Sequence, residues 1–587
     1  MFPKIKRLLS ICGGYLKELW GRMCGMPTLF AFLTLLQVLM GSLMILHLRM
    51  EMPLLLWLGG YIASTAILMT LPAILPQRWW RIAWTSLIVL LSALLFIYEY
   101  YLLTEYGTLL TQTVLLQYYT PCADDVCRSL LPWSMPMHTL LEAIGLLCGI
   151  SLVTWSTRKG WGVLFMLLLL LISGIPHTSK LSPIVAGGIS NHEAYTLAHE
   201  YNMMSRYVAT TLGVFTNQKR YDEMGQNLWK NTPTNVRLIP QRQPHNVVVI
   251  IGESLRRLDM HCYGYPLENT PHLDSLVQAG SLVLYDDVVC PQPNTLTSLR
   301  RVLTIRGEDE QAPWDATTTL PITFSSAGYK TYWCSNQEMA GDWIEEVSLI
   351  ASTADSSYYT DGSTSGALHW KAGRVKYDEL ILPHLIDYRQ TSSPNGSLLV
   401  VAHLMGSHAS FVDRYPNDRF GHFTAKDVKQ LEPHLSAGEA QNSAEYINSI
   451  LYNDYIVSEI IRYYSQSSSI VIYLSDHGIS LYDNPKAPTQ AAHGVCESAL
   501  QIPFMVYMSD QFAAENPDIL LAVQRTRYKP FMTDLFTSSL MGLMGIESNY
   551  TIPRLQLWSL SYDATRPRCI KGFGSEVTFS PKHPDQL

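Results

Sequence analysis

Charge is what this 587-residue chain has least of: 16% of its residues are Asp, Glu, Lys or Arg, against 48% hydrophobic. Soluble domains usually carry about 25% charged residues, so a wholly soluble protein is disfavoured, and the length exceeds one ordinary domain. An excess of positive charge is also missing. The formal net charge is -7 and the pI near 6.2, which removes the basic field that wholesale nucleic-acid binding needs. Cysteine is sparse, ten in all, with no CxxC pair or Cys-His spacing that would build a separate structural zinc site. Cys12, Cys24 and Cys148 lie in or beside apolar runs where bridges are disfavoured, whereas Cys122 and Cys127 flank a short acidic loop where oxidation is permitted. The amino-terminal arm, with Lys4, Lys6, Arg7, Lys17 and Arg22, has no small-residue cleavage site, so no removable signal peptide is read.

The apolar residues are concentrated at the front. Met26 to Leu48, Pro53 to Leu75, Ile82 to Tyr98, His138 to Trp155 and Trp161 to Ile175 each approach the length needed to cross a bilayer, predicting about five transmembrane helices. Arg78 and Arg81 fall between spans two and three, Arg158 and Lys159 between four and five, and the basic arm precedes span one. All these positive charges are then cytoplasmic, and everything after Ile175 lies outside. The stretch from Leu109 to Tyr119 reads as an interfacial helix or a plain loop. Glu99 and Glu142, in or beside spans, read as helix-helix hydrogen bonding or snorkelling groups before anything functional. His192 to Trp229 looks helical, and Thr232 to His245, rich in Pro, Gln, Asn and Arg, looks like a linker. The expected domains are therefore 1–178 in the membrane, 179–245 as bridge and linker, and 246–587 as a large α/β core.

Within that core, Val247 to Ile251 are five consecutive β-branched residues followed by Gly252, the pattern of a buried central strand. Ligands of open α/β sheets bind beyond the carboxyl ends of strands, which is where Glu253 falls. A second β-rich run, Ser469 to Leu474, leads straight into Ser475, Asp476, His477 and Gly478. Hard carboxylate oxygen beside borderline imidazole nitrogen is a ligand set that zinc accepts. Arg256 and Arg257 precede a YGYP turn and read as structural ion-pairing groups more readily than as a phosphate clamp. In CPQPNTLTSLRRVLT the prolines disfavour regular structure and helix-compatible sequence starts at Leu296, so Thr295 falls near a helix amino terminus. That position offers amides and a positive dipole end to an anion, although an ordinary N-cap threonine sits there too, and Thr297 and Ser298 are rivals as nucleophile.

The GES of residues 252–254, YGYP of 263–266 with Thr270-Pro271, Asn-Thr-x-Thr-Ser of 294–298, HxxGSH of 403–408 and SDHG of 475–478 together resemble the phosphoethanolamine transferases. The resemblance implies a multi-pass enzyme of the bacterial inner membrane. Its architecture would be an N-terminal helical transmembrane domain followed by an α/β periplasmic domain of alkaline-phosphatase and sulfatase type. It puts the nucleophile at Thr295, with Ser298 beside it, and the zinc ligands at Glu253, Thr295, Asp476 and His477. It further implies substrate contacts at Asn336, His408 and His493, the two histidines serving the phosphate oxygens, the leaving group or a second metal. One zinc ion is expected to be held tightly, with a second an open alternative. His403 reads as buried and structural. Cys290 has no partner at the distance where many relatives place a cysteine pair, which resembles the cysteine-poor branch modifying lipopolysaccharide core sugar.

The implied reaction takes phosphoethanolamine from phosphatidylethanolamine to a lipopolysaccharide sugar through a covalent threonine intermediate. Rival expectations are phosphoglycerol transfer, transfer to lipid A or to a periplasmic glucan, and, from another class, a non-catalytic membrane scaffold. The sulfatase route needs a Cys or Ser in a C/S-x-P-x-R setting, and the nucleophile segment holds none.

Overall fold

The computed structural model describes residues 77–102, 135–156, a scatter of positions between 14 and 75, and 220–584 apart from 241, 244, 306–312, 339–344, 362–376, 393–395, 483–495 and 573–574. The chain divides into two compact units, one of 1–219 with 363–374 and one of 220–362 with 375–587.

In the first unit, α1 (Arg78–Tyr101) is a 24-residue helix and, among the described residues, the one long and apolar enough to cross a membrane. At 1.5 Å per residue it spans about 36 Å, more than the roughly 30 Å hydrocarbon core. Its exposed large apolar residues include Trp79, Trp80, Ile82, Trp84, Leu90 and Leu94, a contiguous apolar surface of the kind that marks a protein or membrane contact. Helix α2 (Met137–Ser156) packs against α1, and Tyr100 donates to Glu142 Oε2 at 3.1 Å. The helix-helix hydrogen bond expected of Glu142 is present. The other three expected spans, the 109–119 stretch and Cys122 and Cys127 lie wholly or almost wholly outside the described residues.

The second unit is built on strands β1 (Arg237–Leu238), β2 (Asn246–Gly252), β3 (Leu282–Tyr285), β4 (Val288–Val289), β5 (Lys330–Glu338), β6 (Ser356–Asp361), β7 (Leu398–His403), β8 (Ser469–Ser475), β9 (Phe504–Met508), β10 (Phe531–Met532), β11 (Ile546–Glu547), β12 (Arg568–Gly572) and β13 (Ser575–Phe579). Seven of them form one sheet in the order β3-β9-β8-β2-β7-β5-β6, parallel except for β9. The β-branched run makes β2 the central strand because both its faces are covered. Val247, Val249 and Ile251 enter one apolar cluster with Leu299, Phe504 and Phe536, while Val248 and Ile250 enter another with Tyr446, Ile450 and Ile456. Each such side chain contributes roughly 1.5–3 kcal/mol on burial.

Register then decides what meets at the rim. Gly252 pairs with Ser475, Ile251 with His403, and His403 with Ser335, so four strands run out at one level. Gly252 is required there, because a Cβ would occupy the place of the Tyr473 hydroxyl. The face opposite Thr295 is covered by a 28-residue helix, Ala437–Tyr464, started by a reciprocal Ser436/Glu439 capping box.

The end of the stretch read as a helical bridge, from Arg220, and the stretch read as a linker are part of this unit. Residues 220–230 are helical, Arg237–Leu238 pair with β11, and Arg242 makes a forked ion pair with Asp518. The helix is anchored by the buried Met224 and Leu228, whereas 232–245, poor in apolar residues, docks through a short backbone ladder and the Arg242 pair, which leave no hydrophobic period to read.

Candidate metal and nucleophile site

Glu253 stands immediately beyond β2 and Asp476 immediately beyond β8, and the aligned register of those neighbours puts the two carboxylates side by side. Both are fully buried, as is His477. His477 Nε2 lies 3.3 Å from Glu253 Oε1 and 3.3 Å from Asp476 Oδ2. The ring is fixed by its other nitrogen, 2.6 Å from the Gly478 carbonyl; a carbonyl only accepts, so Nδ1 carries the hydrogen and Nε2 is turned to the carboxylates. Asp476 Oδ1 accepts from the backbone amides of Ser254 (3.1 Å) and His477 (2.7 Å), which leaves the buried Oδ2 facing His477 Nε2.

The short helix α3 (Thr295–Val302) brings the fourth group. Asn294 caps it, accepting from Thr297 N at 3.0 Å and from the Thr297 hydroxyl at 2.6 Å. The plain role of Thr295 as an N-cap is thereby excluded, and its half-buried hydroxyl is turned to the rim. It donates to Glu253 Oε2 at 2.9 Å and lies 3.3 Å from His477 Nε2. Thr297 is tied to the cap and Ser298 donates to the Asp476 carbonyl at 2.6 Å, so of the three rival hydroxyls Thr295 alone points at the acidic set.

The electrostatics of the set ask for a cation. Burial opposes ionisation of Glu253, yet the charge and hydrogen bond of His477 overcome it and hold the carboxyl well below its usual range. Burial and the Glu253 charge push Asp476 well above the usual range. Burial works against protonation of His477, but the charges of Asp476 and Glu253 outweigh it and raise the imidazole to about 9. Two carboxylates confined in a low dielectric thus share one proton-bearing imidazole. Their donor atoms, with that of His477, all lie within 4.8 Å of one another. Two buried carboxylates and one imidazole, converging within that distance, fit a divalent ion of zinc's preference.

The other expected site residues fare differently. Asn336 is buried, donates to Asp378 Oδ1 at 2.8 Å and accepts from the Thr360 hydroxyl at 2.5 Å. Asp378 in turn receives the amides of Met405 and Gly406. Asn336 is thus engaged in bracing the loop behind Glu253, and Gly406 (φ +52°) lies so close that a Cβ there would sit 2.7 Å from Glu253 N. His408 is half-buried with Nδ1 donating to the Ala409 carbonyl at 2.6 Å, and the charges acting on it include Glu253 and His477. His493 lies outside the described residues. His403 is buried, its Nδ1 3.3 Å from Ser335 Oγ and its ring edge-on to Trp333, as read from the sequence.

One residue the sequence gave no reason to choose is Gln337, whose carboxamide donates to Glu253 Oε2 and to the Leu404 carbonyl, each at 3.0 Å. β5 runs on through Gln337 to Glu338, with a register shift against β6 between Ser335 and Glu338, and the Gln337 side chain is buried against Glu253.

A family model described as Sulfatase matches residues 245–546, just over half of the chain. The chain belongs to the sulfatase family. Within it, this sulfatase-family chain is similar to phosphoethanolamine transferase EptC of Escherichia coli (strain K12), 29% identical over 280 residues, 47% of each protein. It spans about half the length of the curated relatives it matches. The crystal structure of the C-terminal periplasmic domain of E. coli EcEptC is 25% identical with a TM-score of 0.52, covering 59% of this chain and 96% of that one. The same domain in complex with Zn is 24% identical with a TM-score of 0.52, covering 60% and 98%. The resemblance to phosphoethanolamine transferases read from the motifs is thus recovered by whole-domain comparison, and the soluble unit has the alkaline-phosphatase-like fold of those structures.

Proposed function

We propose that this protein transfers phosphoethanolamine from phosphatidylethanolamine to a hydroxyl of a lipopolysaccharide sugar, by way of a phosphoethanolamine ester on Thr295. The observation that carries the reading is the Thr295 hydroxyl, at the head of α3, 2.9 Å from a carboxylate held ionised. In the first step Thr295 Oγ1 gives up its hydrogen and bonds to phosphorus while the bond from phosphorus to the diacylglycerol oxygen breaks, that oxygen taking up one proton and leaving as the alcohol, so that protons balance over the step. In the second the acceptor oxygen bonds to phosphorus, the bond to Thr295 breaks, and the threonine is regenerated. Glu253 Oε2 orients the hydroxyl hydrogen away from the attacking lone pair, and the positive end of α3 favours the anionic phosphodiester. Glu253, Asp476 and His477, with Thr295, are the residues that would hold zinc, which when bound supplies Lewis-acid stabilisation of charge on the reacting oxygens. His408 and His493 are the groups nearest in role to the phosphate oxygens and leaving group. Asn336 is retained as the substrate contact, its carboxamide bonded to the Asp378 that also receives the Met405 and Gly406 amides.

Under this reading α1 is one of about five spans of an inner-membrane protein whose sheet-bearing unit faces the periplasm, where the donor lipid is met at the outer leaflet. The 1–178, 179–245 and 246–587 division is retained as the functional one, with the end of the bridge and the linker docked on the catalytic unit. The absence of a C/S-x-P-x-R sequence around Thr295 speaks against sulfate-ester hydrolysis.

Purified protein in detergent is incubated with radiolabelled phosphatidylethanolamine or phosphatidylglycerol, and the Thr295 peptide is weighed. The expected result is a phosphoethanolamine adduct on Thr295 with the first lipid, no adduct with the second, and none in Thr295→Ala. An adduct from phosphatidylglycerol alone, or label transfer surviving in Thr295→Ala, rejects the proposal.

A further inference from the structure

We infer that Gln337 is a positioning residue for Glu253, fixing the carboxylate oxygen to which Thr295 gives its hydrogen. The inference rests on the proposed reaction for its kinetic consequence, but its geometry stands apart from it. Glu253 Oε2 accepts from two donors, the Thr295 hydroxyl at 2.9 Å and the Gln337 carboxamide at 3.0 Å. Oε1 is occupied on the other side, by the Ser254 hydroxyl at 2.7 Å and, at 3.3 Å, by His477 Nε2. The two oxygens of one buried carboxylate are therefore distinguished: one faces the nucleophile, the other faces the imidazole and Asp476.

A carboxylate has a freely rotating terminal torsion, and neither Thr295 nor His477 can set it while they react or bind. Gln337 can, from the Oε2 side as Ser254 does from the Oε1 side, because its own head is fixed independently of the chemistry. The same Nε2 group donates its second hydrogen to the Leu404 carbonyl at 3.0 Å, on the residue following β7. Its backbone is held by the bulge, where Gln337 N donates to Ser335 Oγ at 3.0 Å. Gln337 is 7% exposed, so water does not compete for either contact. A carboxamide also suits the site electrically: it stabilises the Glu253 anion without adding a net charge that would cancel the pull of the acidic set on a cation.

The test uses the full chain in detergent, with Gln337→Leu and Gln337→Glu, zinc affinity by competition against a chromophoric chelator, and turnover of labelled phosphatidylethanolamine as a function of pH. Gln337→Leu is expected to weaken zinc by about tenfold to a hundredfold, the usual effect of losing a group that orients a metal ligand, and to lower kcat with KM for the lipid unchanged. Gln337→Glu distinguishes positioning from packing. Ionised, the new carboxylate repels Glu253; protonated, it donates to Oε2 as the amide did, so its deficit should shrink as pH falls. Wild-type zinc affinity in Gln337→Leu, or a deficit in Gln337→Glu that is the same at every pH, overturns the inference. Should the wild type fail to transfer, the proposed reaction falls, while the zinc competition still decides the role of Gln337. Should Gln337→Leu fail to fold, the zinc affinity of Gln337→Glu across pH decides it.

Discussion

Behind the rim, His403 shows how burial alone sets a protonation state. It is enclosed by β5 and β2, its Nε2 has no partner, and burial lowers its pKa to about 4 despite the attraction of Glu253. An unfolded histidine titrates near 6.5. A folded pKa below the unfolded one means the unfolded chain binds the extra proton first. The contribution is fully present above pH 6.5 and is lost as pH falls towards 4, by about 3 kcal/mol for this group. Urea unfolding of wild type and His403→Gln at pH 7 and pH 5 should show a smaller acid-induced loss in the variant. Equal losses would mean that His403 is not the group responsible. The sequence disclosed this residue's structural character, since a histidine directly after a five-residue apolar run belongs to the strand. It disclosed less about Asn336, because which way a side chain leaves a strand end depends on a bulge that composition does not encode.

Among elements, α3 has the narrowest tolerance. It is eight residues long, too short to be stable by propensity alone, and its first turn depends on Asn294. Replacing that cap by Ala should cost about 1 kcal/mol of stability. Because Thr295 is the first helical residue, the same change should reduce turnover by an order of magnitude or more, a misplacement of about 1 Å being worth roughly a hundredfold. Asn294→Asp keeps an accepting oxygen and should retain most of both. Melting curves alongside lipid turnover check the pair; loss of stability with unchanged turnover would separate the cap from the nucleophile. The helix start was visible in the sequence to within one residue. The identity of its cap was not, since Asn and Thr are both good caps and only the direction of their side chains distinguishes them.

Across the molecule, the carboxyl-terminal hairpin of β12 and β13 is joined to the sheet-bearing unit through a buried ion pair. Arg568 contacts Asp287 at 2.7 and 3.2 Å, and Asp287 also receives the Lys582 amide. Both side chains are almost wholly enclosed, so removing one strands the other's charge. Arg568→Met should lower stability by about 3 kcal/mol, read as a shift in the denaturant midpoint, whereas the rim-exposed pair Lys571–Glu576 should be removable at a cost near zero. A small effect at Arg568 would show that the hairpin is dispensable to the core.

By itself the sequence determined the concentration of apolar residues at the front of the chain, the two β-rich runs and the polar residues that end them, because hydrophobic period and strand length are local properties. It also determined that Glu253, Thr295, Asp476 and His477 are of the right chemistry to share a cation. Only the tertiary structure decided that they meet: β2 and β8 are far apart in the chain, and their shared register is fixed by burial on both faces rather than by any local signal. It likewise decided that Gln337 faces Glu253, since the group a buried strand residue meets depends on the pairing of neighbouring strands, and pairing is a property of two strands at once.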